Sequence, residues 1–209
     1  MTSILDSQTY ISSIDRHGMA EALQNFPKHC REALRLGLEV DVAKLEAEKV
    51  LNIVFVGMEG SAIGGSLIRD WAYDRLKVPM EVCRDLLLPG YVDRETLIVA
   101  VSYSGNTFET LKAFKEALSR GASTVSLSSG GRLAEEALKG KLTFIKVPGG
   151  LQPRAALPYL MIPAGIVLER LGLLEGFQKE LEVSLPLSLI HISEPTRPLY
   201  ISYAVFCLQ

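Results

Sequence analysis

Ser102, Ser104 and Thr107 crowd one short stretch, VAVSYSGNTFETL (residues 99–111), with Gly105 and Asn106 between them. Hydroxyls donate hydrogen bonds, and so do the backbone amides of a glycine turn and of a helix's first residues. A phosphate takes many donors from several directions, and the positive end of a helix adds attraction. Ser104, Asn106 or Thr107 could instead cap the helix that follows. One helix needs one cap, and this turn offers more candidates than that, so an anion site is the favoured reading.

A second stretch, VGMEGSAIGGSL (56–67), places glycines at 57, 60, 64 and 65 and Ser61 at a helix start. Glycine lets backbone N–H groups approach a ligand, and the helix N-terminus favours an anion. Met58 and Glu59 spoil a G-x-G-x-x-G spacing, and the G-K-[ST] of a P-loop is missing. Asp85 could mimic a ribose-binding acid, but Arg84 precedes it and the spacing is long, so dinucleotide binding is a distant reading. The bland alternative is that these glycines serve only turning and helix–sheet packing. A third stretch, VPGGLQPRAALPY (147–159), puts Arg154 at the opening of a helix, where a guanidinium can stabilise negative charge on oxygen. A solvated arginine is the equal alternative. The loop SSGGRL (128–133) could line the same strand-end crevice, but a solvent-exposed turn is the favoured reading. His17, His29 and His191 are isolated, with no metal spacing between them.

These motifs need elements to carry them. Short apolar runs NIVFVG (52–57), MEVCR (80–84), TLIVAVS (96–102), STVSLSS (123–129) and LTFIKV (142–147) read as strands. Helical spacing fills 61–76, 107–121, 131–140 and 153–173, the last with possible breaks at Pro158 and Pro163. The alternation predicts an α/β fold: a three-layer, doubly wound sheet of about five parallel strands covered on both faces. In such sheets ligands sit beyond the carboxyl ends of the strands, where all three motifs fall. Residues 1–46 are expected to form an N-terminal helical extension with Pro27 as a helix-start proline, and 47–183 the main domain. Residues 184–209 show no helical period, are broken by prolines and resemble translated adapter sequence, so a non-native tail is expected there.

Of the 209 residues, 48% are hydrophobic and 22% charged, the balance of a globular protein. The formal net charge of -2 leaves no global basic field for nucleic acid. The apolar run LPYLMIPAGIVL (157–168) is too short for a membrane span, which needs ~20 residues. Cys30, Cys83 and Cys207 are odd in number and far apart, which fits neither a disulfide framework nor a metal site and points to the cytoplasm.

Together, GMEGSAIGG, SYSGNTFETL and GGLQPRAALPY resemble the bifunctional phosphoglucose/phosphomannose isomerase family, built from sugar isomerase (SIS) domains, over roughly residues 1–183. The resemblance implies that Gly60, Ser61, Ser102, Ser104 and Thr107 bind a sugar phosphate, the last three gripping the phosphate itself. It implies that Arg154 stabilises the enediolate formed as a proton moves between C1 and C2. It also implies interconversion of glucose 6-phosphate or mannose 6-phosphate with fructose 6-phosphate, with no cofactor or metal, by a homodimer. Two departures stand out. Glu59 replaces a glycine of the family's GMGGS pattern, which would be strained if the position needs a positive φ. The family's catalytic glutamate and ring-opening histidine belong to a second SIS domain and map to no residue here, so these 209 residues are expected to bind rather than turn over. A non-catalytic phosphosugar-sensing SIS module, or another SIS-domain isomerase, is the alternative.

Overall fold

The computed structural model describes residues 7–45 and 47–193. Five strands, β1 (Asn52–Val56), β2 (Met80–Cys83), β3 (Thr96–Val101), β4 (Ser123–Ser128) and β5 (Thr143–Lys146), pair in the order β2-β1-β3-β4-β5, every neighbour parallel. Parallel pairing requires a crossover after each strand. Helices α4 (Glu59–Trp71), α5 (Phe108–Ser119) and α6 (Gly131–Lys139) follow β1, β3 and β4, and α7 (Leu157–Arg170) follows β5.

Alternating strand residues divide between two cores, as the two-residue pleat dictates. Ile53, Phe55, Leu97 and Val99 pack with Ile68 of α4 and Leu160 and Ile166 of α7. Val54, Val56, Ile98 and Ala100 pack with Ala113 and Phe114 of α5 and Leu133 and Ala137 of α6. This is the three-layer doubly wound sheet that the strand–helix alternation predicts. Full burial of each large side chain contributes about 1.5–3 kcal/mol, so the doubly covered strands hold most of the stability.

Three helices precede the sheet: α1 (Gln8–Ile14), α2 (Met19–Gln24) and α3 (Phe26–Leu38), the last with Pro27 in its first turn. Helix α3 lies on α7, and its Cys30 and Ala33 join the same core as β1 and β3. The approach is close: a Cβ on Gly37 would stand 3.0 Å from the Cα of Pro163.

Two expectations need correction. Helix α7 runs unbroken through Pro163, and Pro158 sits in its first turn, where a missing N–H costs nothing. Burial of both prolines and most of their neighbours against α3 and α4 outweighs the one hydrogen bond lost at Pro163. The other concerns only the lack of a helical period expected from residue 184 onward. Helix α8 (Phe177–Ser193) crosses position 184 and continues through Pro186. Phe177, Leu181 and Leu185 recur four apart and all pack on the core, Leu185 being 7% exposed. That period begins upstream of 184, so a reading that starts there misses it. The rest of the expected tail, 194–209, lies outside the described residues.

Candidate functional site

Strand order makes the site. From β1 the chain turns one way to β2, then crosses back to place β3 on the other side, so β1 and β3 flank the point where the winding reverses. Register sets Val56 level with Ala100, which brings the turns after β1 and β3 side by side. Tyr103 N–H donates to Ser61 Oγ across that seam at 3.3 Å.

The hydroxyl turn is built from the inside out. Ser102 is 1% exposed, accepts from Gly105 N–H at 3.1 Å and shares a 2.9 Å bond with Thr107 Oγ1. Ser104 Oγ accepts from Asn106 N–H at 3.2 Å. Gly105 holds φ +70°, and a Cβ there would stand 1.8 Å from the carbonyl oxygen of Gly130. Thr107 occupies the N-cap position of α5 in backbone terms, but its side chain makes no capping bond. Asn106 spends its Oδ1 on Arg132 N–H at 3.1 Å, at the start of α6. None of the three capping candidates therefore caps α5: Asn106 serves the start of α6 instead, and the first-turn amides of α5 have no side-chain cap.

The glycine stretch divides by role. A Cβ on Gly65 would lie 2.4 Å from the Phe55 ring, so this glycine serves helix–sheet packing. Gly60, by contrast, faces open space: the nearest neighbour its Cβ would meet is the Pro153 oxygen, 3.9 Å away. Helix α4 also starts without a side-chain cap, Met58 being its N-cap. Glu59 stands at φ +43°, the left-handed region that resists a Cβ, and is exposed.

The SSGGRL loop is a buttress rather than the solvent-exposed turn expected. Ser129 donates to the Tyr103 carbonyl from both N–H (2.9 Å) and Oγ (2.7 Å), and Leu133 N–H donates to the Gly105 carbonyl at 2.9 Å. Ser128 is fully buried. The turn after β3 carries more carbonyls than its own short loop can satisfy, and the neighbouring loop supplies the donors.

Met58, Glu59, Gly60, Ser61, Arg84, Tyr103, Ser104, Thr107, Glu109 and Pro153 enclose a crevice of ≈ 550 Å³. Four of the five residues expected to bind the sugar phosphate, Gly60, Ser61, Ser104 and Thr107, meet there. Ser102 sits beneath, its hydroxyl spent on holding Thr107 and Gly105. Arg154 is exposed in the turn ahead of α7, and its neighbour Pro153 reaches the crevice wall. Asp85 accepts from Leu86 N–H at 2.6 Å and does not line the crevice.

Sequence reasoning misses two lining residues that matter. Arg84 directly follows β2, and its guanidinium donates to Ser66 Oγ of α4 at 2.8 Å, which places a cation on the crevice wall. Its position at a strand's carboxyl end is the signal that could have found it. Tyr103 is buried and its oxygen accepts from Leu151 N–H at 2.9 Å, tying the 147–156 segment to the hydroxyl turn. Burial raises its hydroxyl above the usual tyrosine range, so it stays protonated. His29 lies elsewhere, its ring 5.5 Å from that of Tyr159, whose hydroxyl donates to Glu32 at 2.6 Å.

Comparison with known proteins agrees with this geometry. Residues 88–146 match the SIS domain model, a stretch that includes the hydroxyl turn and its buttress. The chain is 43% identical over 164 residues to a bifunctional phosphoglucose/phosphomannose isomerase of Caldicellulosiruptor bescii, covering 78% of this chain and 48% of that protein. It thus spans about half the length of this curated relative. Among solved structures, the C-terminal domain of the glucosamine-fructose-6-phosphate aminotransferase of Francisella tularensis superposes with a TM-score of 0.66 at 19% identity, over 82% of this chain and 55% of that one. The Vibrio vulnificus NanR protein, solved with ManNAc-6P, gives 0.56 at 18% identity, over 86% and 74%. At such identities the structural likeness speaks for the fold, while the sequence relatives are more specific. Residues 88–146 thus carry an SIS domain, and over 78% of its length the chain is similar to a bifunctional phosphoglucose/phosphomannose isomerase.

Proposed function

We propose that the crevice at the β1/β3 reversal binds the phosphate of a hexose 6-phosphate, and that the chain forms the phosphosugar-binding part of an aldose–ketose isomerase. The observation that carries this is the meeting of two helix starts without side-chain caps, those of α4 and α5, with Gly60, Ser61, Ser104 and Thr107 on one crevice wall. Backbone amides and hydroxyls there all present donors to one anion, and both helix dipoles add to them. Ser102 contributes by orienting Thr107.

In the reaction proposed, glucose 6-phosphate or mannose 6-phosphate interconverts with fructose 6-phosphate. A base removes a proton from C2 or C1 of the open-chain sugar, an enediolate forms, and the proton returns to the other carbon. Arg154 is the residue proposed to stabilise the enediolate oxygen, moving toward the substrate from its exposed turn. Among the described residues that line the crevice there is no histidine, and Glu59 and Glu109 stand at the helix starts that would hold the phosphate. Ring opening and proton transfer are therefore assigned to groups outside these residues, so this stretch alone binds without turnover. A positioned base typically contributes ~10²–10⁴ in rate, and its loss removes most of the catalysis. We further propose a homodimer acting in the cytoplasm; Cys30 and Cys83, both free and buried, support a reducing compartment.

Titration calorimetry with fructose 6-phosphate tests this reading. Binding that falls at least tenfold in a Ser104→Ala/Thr107→Ala double variant supports it, and unchanged binding refutes the phosphate site. A coupled isomerase assay on the same chain tests the second half: robust turnover would refute the assignment of proton transfer to other groups.

A further inference from the structure

We propose that Glu59 sets the charge selectivity of this crevice, weakening its grip on purely anionic phosphosugars relative to those that carry an amino group. The proposal rests on the phosphosugar reading above and adds a residue to it. Two independent observations single out Glu59. Its backbone is held at φ +43°, and it shares this class of conformation with only one other described non-glycine residue, Lys141. Residues kept in such conformations cluster at functional sites because surrounding structure must enforce them. Glu59 also lines the crevice, next to Gly60 and Ser61 and on the same wall system as Ser104 and Thr107.

The charge balance is what makes this consequential. Arg84 brings one positive charge to the crevice and Glu59 and Glu109 bring two negative ones, so the ionised side chains oppose an anion that the helix starts and hydroxyls attract. Glu109, in the first turn of α5, sits where an acidic residue favours the helix itself. Glu59 likewise sits in the first turn of α4, but at a strained position that glycine would occupy without strain. A carboxylate there repels a phosphate dianion across the crevice, while an ammonium on the same sugar regains part of that loss.

Glucose 6-phosphate and glucosamine 6-phosphate make a matched pair of probes, since they differ at C2 and share the phosphate. In Glu59→Gln the side-chain size stays and the charge goes. Glucose 6-phosphate is expected to bind about five-fold tighter to the variant at low salt, with a smaller gain for glucosamine 6-phosphate. The difference should shrink in ~1 M salt, where the Debye length is about 3 Å. Equal changes for both sugars, no change at all, or a gain that ignores salt would each overturn the assignment. The failures remain separable: Ser104→Ala/Thr107→Ala without effect sinks the phosphate site itself, whereas an effect there with none in Glu59→Gln sinks only the role of Glu59.

Discussion

Two hollows of nearly equal size open at opposite ends of the sheet. The one at the carboxyl ends of β1 and β3 encloses ≈ 550 Å³, and the one at the amino ends of β1 and β2, lined by Leu51, Asn52, Pro79, Met80, Glu81 and Tyr91, encloses ≈ 570 Å³. Size does not distinguish them, and chemistry does. Parallel strands send all their carboxyl ends to one side, where the following helices begin and present N–H groups. The amino ends receive the carboxyl ends of helices, whose free groups are carbonyls. The second hollow is mainly apolar. The Tyr91 hydroxyl donates to Glu81, and burial, then the carboxylate, raises the phenol well above its usual range. Asn52 Oδ1 is buried there without a hydrogen bond. One hollow thus concentrates donors for an anion, and the other is mainly apolar with a carboxylate on its wall.

The sharpest way to break this contrast is a pair of glycine substitutions. Gly105→Ala forces a Cβ against the Gly130 carbonyl at a positive φ, so it should cost about 3 kcal/mol or more and abolish phosphosugar binding. Gly90→Ala, next to Tyr91 at the apolar end, meets nothing within 4 Å and should stay within ~0.5 kcal/mol. Urea denaturation checks both, and similar losses would erase the distinction between the ends. Next in size is Ser102→Ala, expected to cost about 1–2 kcal/mol by unpairing Thr107 Oγ1 and to weaken fructose 6-phosphate binding with it. Ser104→Ala should weaken binding with stability nearly unchanged, because Ser104 is exposed. If the two variants lose stability equally, Ser102 is not the foundation of the turn.

Asn52→Val tests the apolar end from the other direction. Removing an unpartnered buried oxygen and adding a β-branched side chain to β1 should stabilise by about 1 kcal/mol with sugar-phosphate affinity untouched. A fall in affinity would show that the two ends are coupled. The smallest effect expected is in Glu59→Gly. Relief of about 1–2 kcal/mol of left-handed strain, less ~0.5–1 kcal/mol of added chain entropy, leaves a net gain of about 0.5–1 kcal/mol. Calorimetry should show this as a rise of about 1–4 °C in Tm.

Much of this was legible in the residues. Each strand reads as an apolar run, since both faces are covered and no alternation is needed. Gly60, Ser61, Ser104 and Thr107 were recognisable because helix starts and hydroxyl-rich turns are local features of a few residues. Ser102 shows the limit: its type and spacing equal those of Ser104, yet it is buried under the turn while Ser104 is exposed. Its placement depends on the last residue of β3 and on the bond to Thr107, which no composition rule separates. SSGGRL was misjudged for a similar reason, since a glycine-rich loop carries no mark of the neighbour it will brace.

Local order follows from periodicity and from turn chemistry, and both are written in consecutive residues. So the sequence by itself determined the five strands, the helices between them, and the two donor-rich turns that follow β1 and β3. Tertiary structure alone decided that β1 and β3 lie together at the reversal of winding, so that the two turns share one crevice. It also decided that Arg84 and Glu59 bring opposite charges to that crevice, and that Leu185 completes a core begun at β1. Those outcomes depend on pairings between segments far apart in the chain, whose closure is favoured by burial that no single segment achieves alone.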